Sequence, residues 1–115
     1  MKKILFVGKF NAVYQDISKA LEEHFSVQMC VDNFDMVKGM LKLNQPDLVM
    51  VSLVGIDKGA GRILEDLRLN HTQLPVMCVG TQGEQDSFID SLNARNFHII
   101  TRPVKNEIIL EKVQT

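Results

Sequence analysis

The sequence lacks a strong excess of either charge, because 13 Lys and Arg residues almost balance 14 Asp and Glu residues and leave a formal net charge of −1. A chain without a basic surplus has no general attraction to nucleic acid or to an anionic membrane. Long apolar runs are also missing: none approaches the roughly 20 residues that span a bilayer. The apolar run after Lys2 and Lys3 stops at Gly8, too soon for a signal peptide. These absences predict a cytoplasmic protein without direct nucleic-acid or membrane partners.

Cysteine is scarce, and no residue cluster has the spacing of a metal site. The two cysteines, Cys30 and Cys78, lie inside apolar runs, as buried thiols do in a reducing compartment. The three histidines are scattered, with no cysteine or acid at metal-ligand spacing. We therefore expect no disulfide framework, no metal and no cofactor.

The chain length sets the number of domains. With 115 residues, the chain is long enough to bury a core without disulfides and too short for two domains. No repeat, low-complexity segment or Gly/Ser linker interrupts it. The sequence predicts one domain over residues 1–115.

Short apolar runs alternate with longer helical patterns along the whole sequence. The runs predict five strands, at Ile4–Val7, 27–31, Leu48–Val51, Val76–Val79 and Phe97–Ile100. Five helices are predicted between and after them, the first capped by Asn11 and the second by Asp32 or Asn33; the fourth is built on Phe88, Ile89 and Leu92. Strands that are apolar on both sides need helices on both faces of a parallel sheet. The predicted fold is therefore α/β, a three-layer α/β/α sandwich.

Any site in such a sheet is expected at the carboxyl ends of the strands. Two cations and two hydroxyls follow the predicted strands: Lys9, Ser52, Thr81 and Arg102. One interpretation is an anion pocket for a phosphate, a nucleotide or an acidic peptide. The other is that both cations are solvated or paired with Asp32 or Asp57, as surface charges commonly are.

Three segments, residues 46–52, 75–81 and 99–103, resemble signature segments of the receiver domain of bacterial response regulators. The similarity lies in the Pro-Asp lead into strand three, the proline before strand four, and the basic residue before proline after strand five. It extends over essentially the whole chain. The resemblance implies a flavodoxin-like sheet with strand order 2-1-3-4-5 and a cis peptide bond at Arg102–Pro103.

The chain departs from the receiver pattern where the chemistry takes place. The family transfers a phosphoryl group to an aspartate and holds a divalent cation with paired acids after strand one. Here Ser52 stands at the acceptor position, and Gly8 and Lys9 stand where the acids are expected. A glycine and a cation cannot supply the oxygen ligands that magnesium requires. A competing hypothesis makes Ser52 itself the acceptor, although a serine that ends a strand is usually structural.

The positions that relay phosphorylation in the family have changed as well. Gly80 replaces the switch hydroxyl, with Thr81 one residue late, and Ile99 replaces the switch aromatic residue. Arg102 stands in place of lysine, with a different shape and hydrogen-bonding geometry. The resemblance therefore implies a degenerate receiver without catalytic residues, and we expect no enzymatic activity.

What remains is an interaction module in two-component-like signalling. In the receiver family, helix four, strand five and helix five commonly form the dimerisation or partner face. The charged residues predicted on that face are Asp86, Asp90, Arg95, Lys105, Glu107 and Lys112. They can pair across a two-fold axis or stay solvated. The predicted function is phosphorylation-independent protein interaction or dimerisation, with binding of a small anionic ligand as the alternative.

The last helical pattern has room for only about two and a half turns. This short helix raises the expectation that the chain is a fragment of a longer regulator with a fused output domain. The sequence does not indicate which kind of output domain that would be.

Overall fold

Five parallel strands form one sheet in this computed structural model, which describes residues 2–114. The strands are β1 (Lys3–Gly8), β2 (Ser26–Val31), β3 (Leu48–Ser52), β4 (Val76–Gly80) and β5 (Phe97–Thr101). Their order across the sheet is β2-β1-β3-β4-β5, and every pairing is parallel. The predicted strands and their order are confirmed.

Within residues 2–114, six α-helices connect and flank the strands. They are α1 (Ala12–Glu22), α2 (Phe34–Leu43), α3 (Gly61–Asn70), α4 (Gln82–Asp86), α5 (Ile89–Leu92) and α6 (Asn106–Gln114), and one 3₁₀ turn, Lys58–Ala60, precedes α3. The side chain of Asn11 accepts a hydrogen bond from the Tyr14 amide, and that of Asn33 accepts one from the Met36 amide. Both asparagines therefore cap helices, as predicted for α1 and α2.

The core lies on both faces of the sheet. Every residue of β3 and of β4 is buried, because helices cover both sides of these central strands. One apolar cluster joins Val49 and Val51 to Leu64 of α3, and the other joins Met50 to Ile17 of α1 and Ile109 of α6. The two clusters confirm the three-layer sandwich. Both cysteines are buried and free.

The predicted single fourth helix is wrong, because the chain forms two short helices there. Phe88 separates α4 from α5, with φ −124° and ψ 22°, outside the helical region. Its side chain is buried against the cluster that includes α3, whereas Ile89 is exposed. Gly83, Ser87 and Asn93 are weak helix formers, so the helix propensity of this segment does not favour one continuous helix over two short ones.

The sheet register brings the residues after the strands to one edge. Gly8 pairs with Val31, Ser52 with Val79, and Gly80 with Thr101. The peptide bond between Arg102 and Pro103 is cis, as the family resemblance implied. Across residues 2–114, no helix has the length and apolar character needed to cross a membrane.

Candidate functional site

Ser52 ends β3 at the carboxyl edge of the sheet, where the sequence placed the altered acceptor position. The residue is fully buried, with an exposed fraction of 0%. Its hydroxyl oxygen is also buried and has no hydrogen-bond partner among the described residues. A buried hydroxyl in this setting is neither accessible to a phospho-donor nor activated by a base.

The ring of Tyr14 fills the space beside Ser52. A Cβ atom added to Gly8 would lie 2.7 Å from Cδ1 of that ring, 2.9 Å from Cε1 and 3.1 Å from the Ser52 Cβ. Gly8, where the resemblance led us to expect an acid, therefore leaves room for an aromatic side chain from α1. We call Gly8, Tyr14 and Ser52 the strand-end plug.

Hydrogen bonds fix the Tyr14 ring in this position. Its hydroxyl donates to the Phe6 carbonyl oxygen at 2.6 Å and accepts from the Cys30 amide at 3.1 Å. The ring also contacts the Phe6 ring, with centroids 4.4 Å apart. Burial raises the pKa of Tyr14 to about 12, because the phenolate would lose its hydration. The tyrosine is therefore a neutral packing residue at ordinary pH.

Gly80 ends β4 and lies against Leu53. A Cβ atom at Gly80 would be 2.8 Å from the Leu53 Cβ and 3.0 Å from its Cδ1. Leu53 is buried, and its amide donates to the Val79 carbonyl oxygen at 2.9 Å. An apolar side chain therefore packs closely against Gly80, the position where the resemblance led us to expect a hydroxyl.

Two of the candidate anion ligands, Lys9 and Thr81, use their side chains in separate contacts. Lys9 Nζ lies 3.9 Å from Asp57 Oδ1, and both side chains are largely exposed. The Thr81 hydroxyl accepts from the Glu84 amide, and Glu84 in return accepts from the Thr81 amide, which forms a capping box at α4. Arg102 is half-buried, and its amide donates to the Gly80 carbonyl oxygen at 2.9 Å. Anion binding by these residues stays a prediction.

The residues at these strand ends do not fit the magnesium ion that the receiver fold implies. Gly8, Lys9 and Ser52 supply no carboxylate, and the Tyr14 ring lies 2.7 Å from the place that a Cβ atom at Gly8 would occupy. Magnesium requires several oxygen ligands in near-octahedral geometry. Within residues 2–114, no group of three or more His, Cys, Asp and Glu side chains is placed to hold a metal ion.

The six charged residues predicted on the interaction face are all exposed, but they do not form one patch. Asp90 lines a groove of about 450 Å³ between α5 and β5, together with Ile89 and Ile99. Glu107 lines a different groove between α1 and α6, and Lys112 lines a third at the amino ends of the strands. The groove of Ile89 and Ile99 has two large exposed apolar side chains on the predicted face, and Ile99 also lines the groove of Lys112.

Sequence reasoning missed three side chains that shape this edge: Tyr14, Leu53 and Gln85. Tyr14 shares helical spacing with Ile17 and Leu21, so its burial could have been predicted, but not the volume that it fills. Gln85 lies three residues before the buried Phe88, and residues at this spacing share one face of a helix. The spacing could therefore have indicated that Gln85 is a polar residue on a packed face. No sequence pattern indicates which of these side chains contact each other across the carboxyl edge of the sheet.

No protein-family model matches this chain. No curated protein matches it either.

Solved structures do resemble the chain over nearly its whole length. The N-terminal receiver domain of a response regulator from Bacteroides fragilis superposes with a TM-score of 0.75 at 17% identity, covering 99% of this chain and 95% of that one. A response regulator from Clostridium difficile gives 0.75 at 21% identity, with coverage of 99% and 93%. NtrX from Brucella abortus gives 0.77 at 17% identity, covering 99% of this chain but 26% of that longer one. The chain therefore has the fold of response-regulator receiver domains.

Proposed function

We propose that this chain is a regulatory domain in signal transduction that binds another protein and does not accept a phosphoryl group. The single observation that carries the interaction proposal is the groove between α5 and β5 with its two exposed isoleucines. Ile89 is 59% exposed and Ile99 is 37% exposed, although both are large apolar side chains. Apolar side chains grouped in a surface groove are a common mark of a protein interface.

The chemistry at the strand ends supports an activity without phosphorylation. The residue at the acceptor position is a buried serine, positions 8 and 9 carry glycine and lysine instead of acids, and the Tyr14 ring packs against Gly8. No carboxylate is present there to attack a phospho-donor, and no acids are present to hold a metal ion against the transferred group. The domain is accordingly proposed to be non-enzymatic.

The charges around the groove favour a partner with a basic rim. Asp86 and Asp90 are exposed on α4 and α5, and no Lys or Arg lies within these two helices. A second copy of the chain offers exposed cations at Arg95, before β5, and at Lys105, before α6. Acidic helices of one copy facing these cations of the other would make a self-complementary contact. We therefore propose a homodimer as the first association to test.

A domain of this fold can be one part of a longer regulator, as the coverage of NtrX indicates for that protein. We propose the same arrangement here, in the cytoplasm, with this domain restraining or pairing an output domain. In such a protein the groove of Ile89 and Ile99 would set the distance between two output domains.

Replacing Ile99 with lysine tests this proposal. The change puts a charge into the apolar centre of the groove, where it would be desolvated on association, and is expected to weaken dimerisation at least about tenfold. Sedimentation velocity over a concentration series measures the association. His98→Lys is the matched control, because His98 is also exposed on β5 but lies outside this groove.

The dimer should be lost in Ile99→Lys and kept in His98→Lys. A dimer that persists in Ile99→Lys would show that another surface mediates association. A chain that stays monomeric at every concentration would contradict the homodimer and leave a different protein as the partner of the groove.

A further inference from the structure

Gln85 links three elements at the carboxyl edge of the sheet. The side chain is buried, and its Nε2 donates to the Gly80 carbonyl oxygen at 3.0 Å and to the Thr101 hydroxyl oxygen at 2.9 Å. Gly80 ends β4 and Thr101 ends β5, while Gln85 itself belongs to α4. Both amide hydrogens are therefore used to join one helix to the ends of two strands.

The groups around this link leave little freedom for it to rearrange. The Gly80 carbonyl oxygen also accepts from the Arg102 amide at 2.9 Å. The ends of β4 and β5 are therefore joined by this backbone hydrogen bond and by the Gln85 side chain. Leu53 packs against Gly80, where even one added carbon would lie 2.8 Å from the Leu53 Cβ. The capping box of Thr81 and Glu84 fixes the start of α4.

We infer that Gln85 is a positioning residue that locks α4 to the ends of β4 and β5 in one arrangement. The groove of Ile89 and Ile99 lies directly beside this lock, and Gln85 itself lines it. The groove is therefore presented permanently, with no ligand or modification needed to form it. This inference concerns the regulation of the same surface and so rests on the proposed function.

The test is native-state hydrogen exchange of the isolated chain with Gln85 replaced by methionine. Methionine is close to glutamine in length and flexible enough to fill the same space, but it cannot donate either hydrogen bond. We expect the Arg102 amide to exchange about tenfold faster, because the end of β5 opens more readily. The Leu53 amide, which bonds to Val79 on the other side of β4, should keep its exchange rate.

Gln82→Met is the matched control, since Gln82 lies on the same short helix. Its side-chain amide donates a hydrogen bond to Asp86 within that helix and not to a strand. The Arg102 exchange rate should not change in this variant. Thr101→Val serves as a second test if Gln85→Met folds poorly, because it removes one of the two acceptors and leaves Gln85 in place.

Faster exchange confined to Arg102 and its neighbours in Gln85→Met or Thr101→Val supports the lock. Equal acceleration at Arg102 and Leu53 overturns it, because Gln85 would then contribute only to global stability. Unchanged exchange at Arg102 overturns it as well. The measurement needs no partner, so a failed lock is distinguishable from a failed interaction face, which the Ile99→Lys experiment reports.

Discussion

Replacing Ser52 with aspartate is expected to destabilise the domain by about 3 to 5 kcal/mol at pH 7. The carboxylate would be buried at the end of β3, beside the Tyr14 ring. Positions 8 and 9 carry glycine and lysine, so no acids are present there to bind a metal ion that would offset the new charge. An uncompensated charge in such a place is among the most costly single substitutions. Urea denaturation followed by circular dichroism measures the change in the free energy of unfolding.

The cost of Ser52→Asp should depend on pH in a defined direction. Burial disfavours the carboxylate and raises the pKa of the new side chain in the folded state above its unfolded value near 3.9. As the pH rises above about 4, the new side chain ionises more readily in the unfolded state than in the folded state. The variant therefore loses stability relative to the original chain over this range. At pH below that value the side chain is neutral in both states, and the cost should be smallest.

Two matched variants separate charge from size at this position. Ser52→Asn adds the same bulk without a charge and should cost less at pH 7, with no pH dependence of its own. Ser52→Ala removes a hydroxyl that has no partner and should change stability by no more than about 1 kcal/mol. An aspartate variant as stable as Ser52→Asn at pH 7 would mean that the site accommodates an acid, contrary to the plug described here.

The strand-end plug predicts strong coupling between Gly8 and Tyr14. Gly8→Ala places a carbon 2.7 Å from the Tyr14 ring and is expected to cost about 1 to 3 kcal/mol. Tyr14→Ala empties the space and removes the hydroxyl contacts to Phe6 and Cys30, at about 3 to 5 kcal/mol. In the double variant the alanine at position 8 no longer meets a ring and keeps only the 3.1 Å approach to the Ser52 Cβ, so its own cost should fall to about 1 kcal/mol or less.

A double-mutant cycle measured by urea denaturation gives this coupling. Where Tyr14→Ala leaves too little folded protein, Tyr14→Leu provides a milder version of the same cycle. Additive effects would contradict the plug, since they would mean that the two residues do not compete for one volume.

The tyrosine also reports on the plug by itself, because it is the only tyrosine in the chain. Its absorbance should titrate near pH 12 in the original chain, in line with its raised pKa. In folded Gly8→Ala the midpoint should move down toward the ordinary value of 10.0, because the displaced ring gains water. An unchanged midpoint would show that the alanine is accommodated without moving the ring.

The layered fold could be predicted from the sequence because its signals are local. Apolar runs such as Leu48–Val51, helix caps at Asn11 and Asn33, and prolines at positions 46 and 75 each act within a few residues. The region between β4 and β5 was predicted less well. There, the burial of Phe88 in the core overrides the helical spacing that suggested one helix.

The candidate site could be predicted only in part, because its features depend on contacts across the sheet. Gly8 and Ser52, where the receiver resemblance led us to expect acids, are visible in the sequence and predict that the phosphoryl chemistry is absent. The side chains that fill the emptied volume, Tyr14 and Leu53, come from positions that look like ordinary core residues. The link made by Gln85 requires the ends of β4 and β5 to be adjacent, which only the folded chain determines.

Intact-mass and thermal-stability measurements of the purified chain, with and without acetyl phosphate and magnesium, decide whether the strand ends retain phosphoryl chemistry. A receiver domain with an acceptor aspartate serves as the positive control, and Ser52→Asp serves as the comparator. We predict no mass increase and no shift of the melting temperature in the original chain. A phosphoryl adduct, or a clear stabilisation by the two reagents, would contradict a plugged, phosphorylation-independent domain.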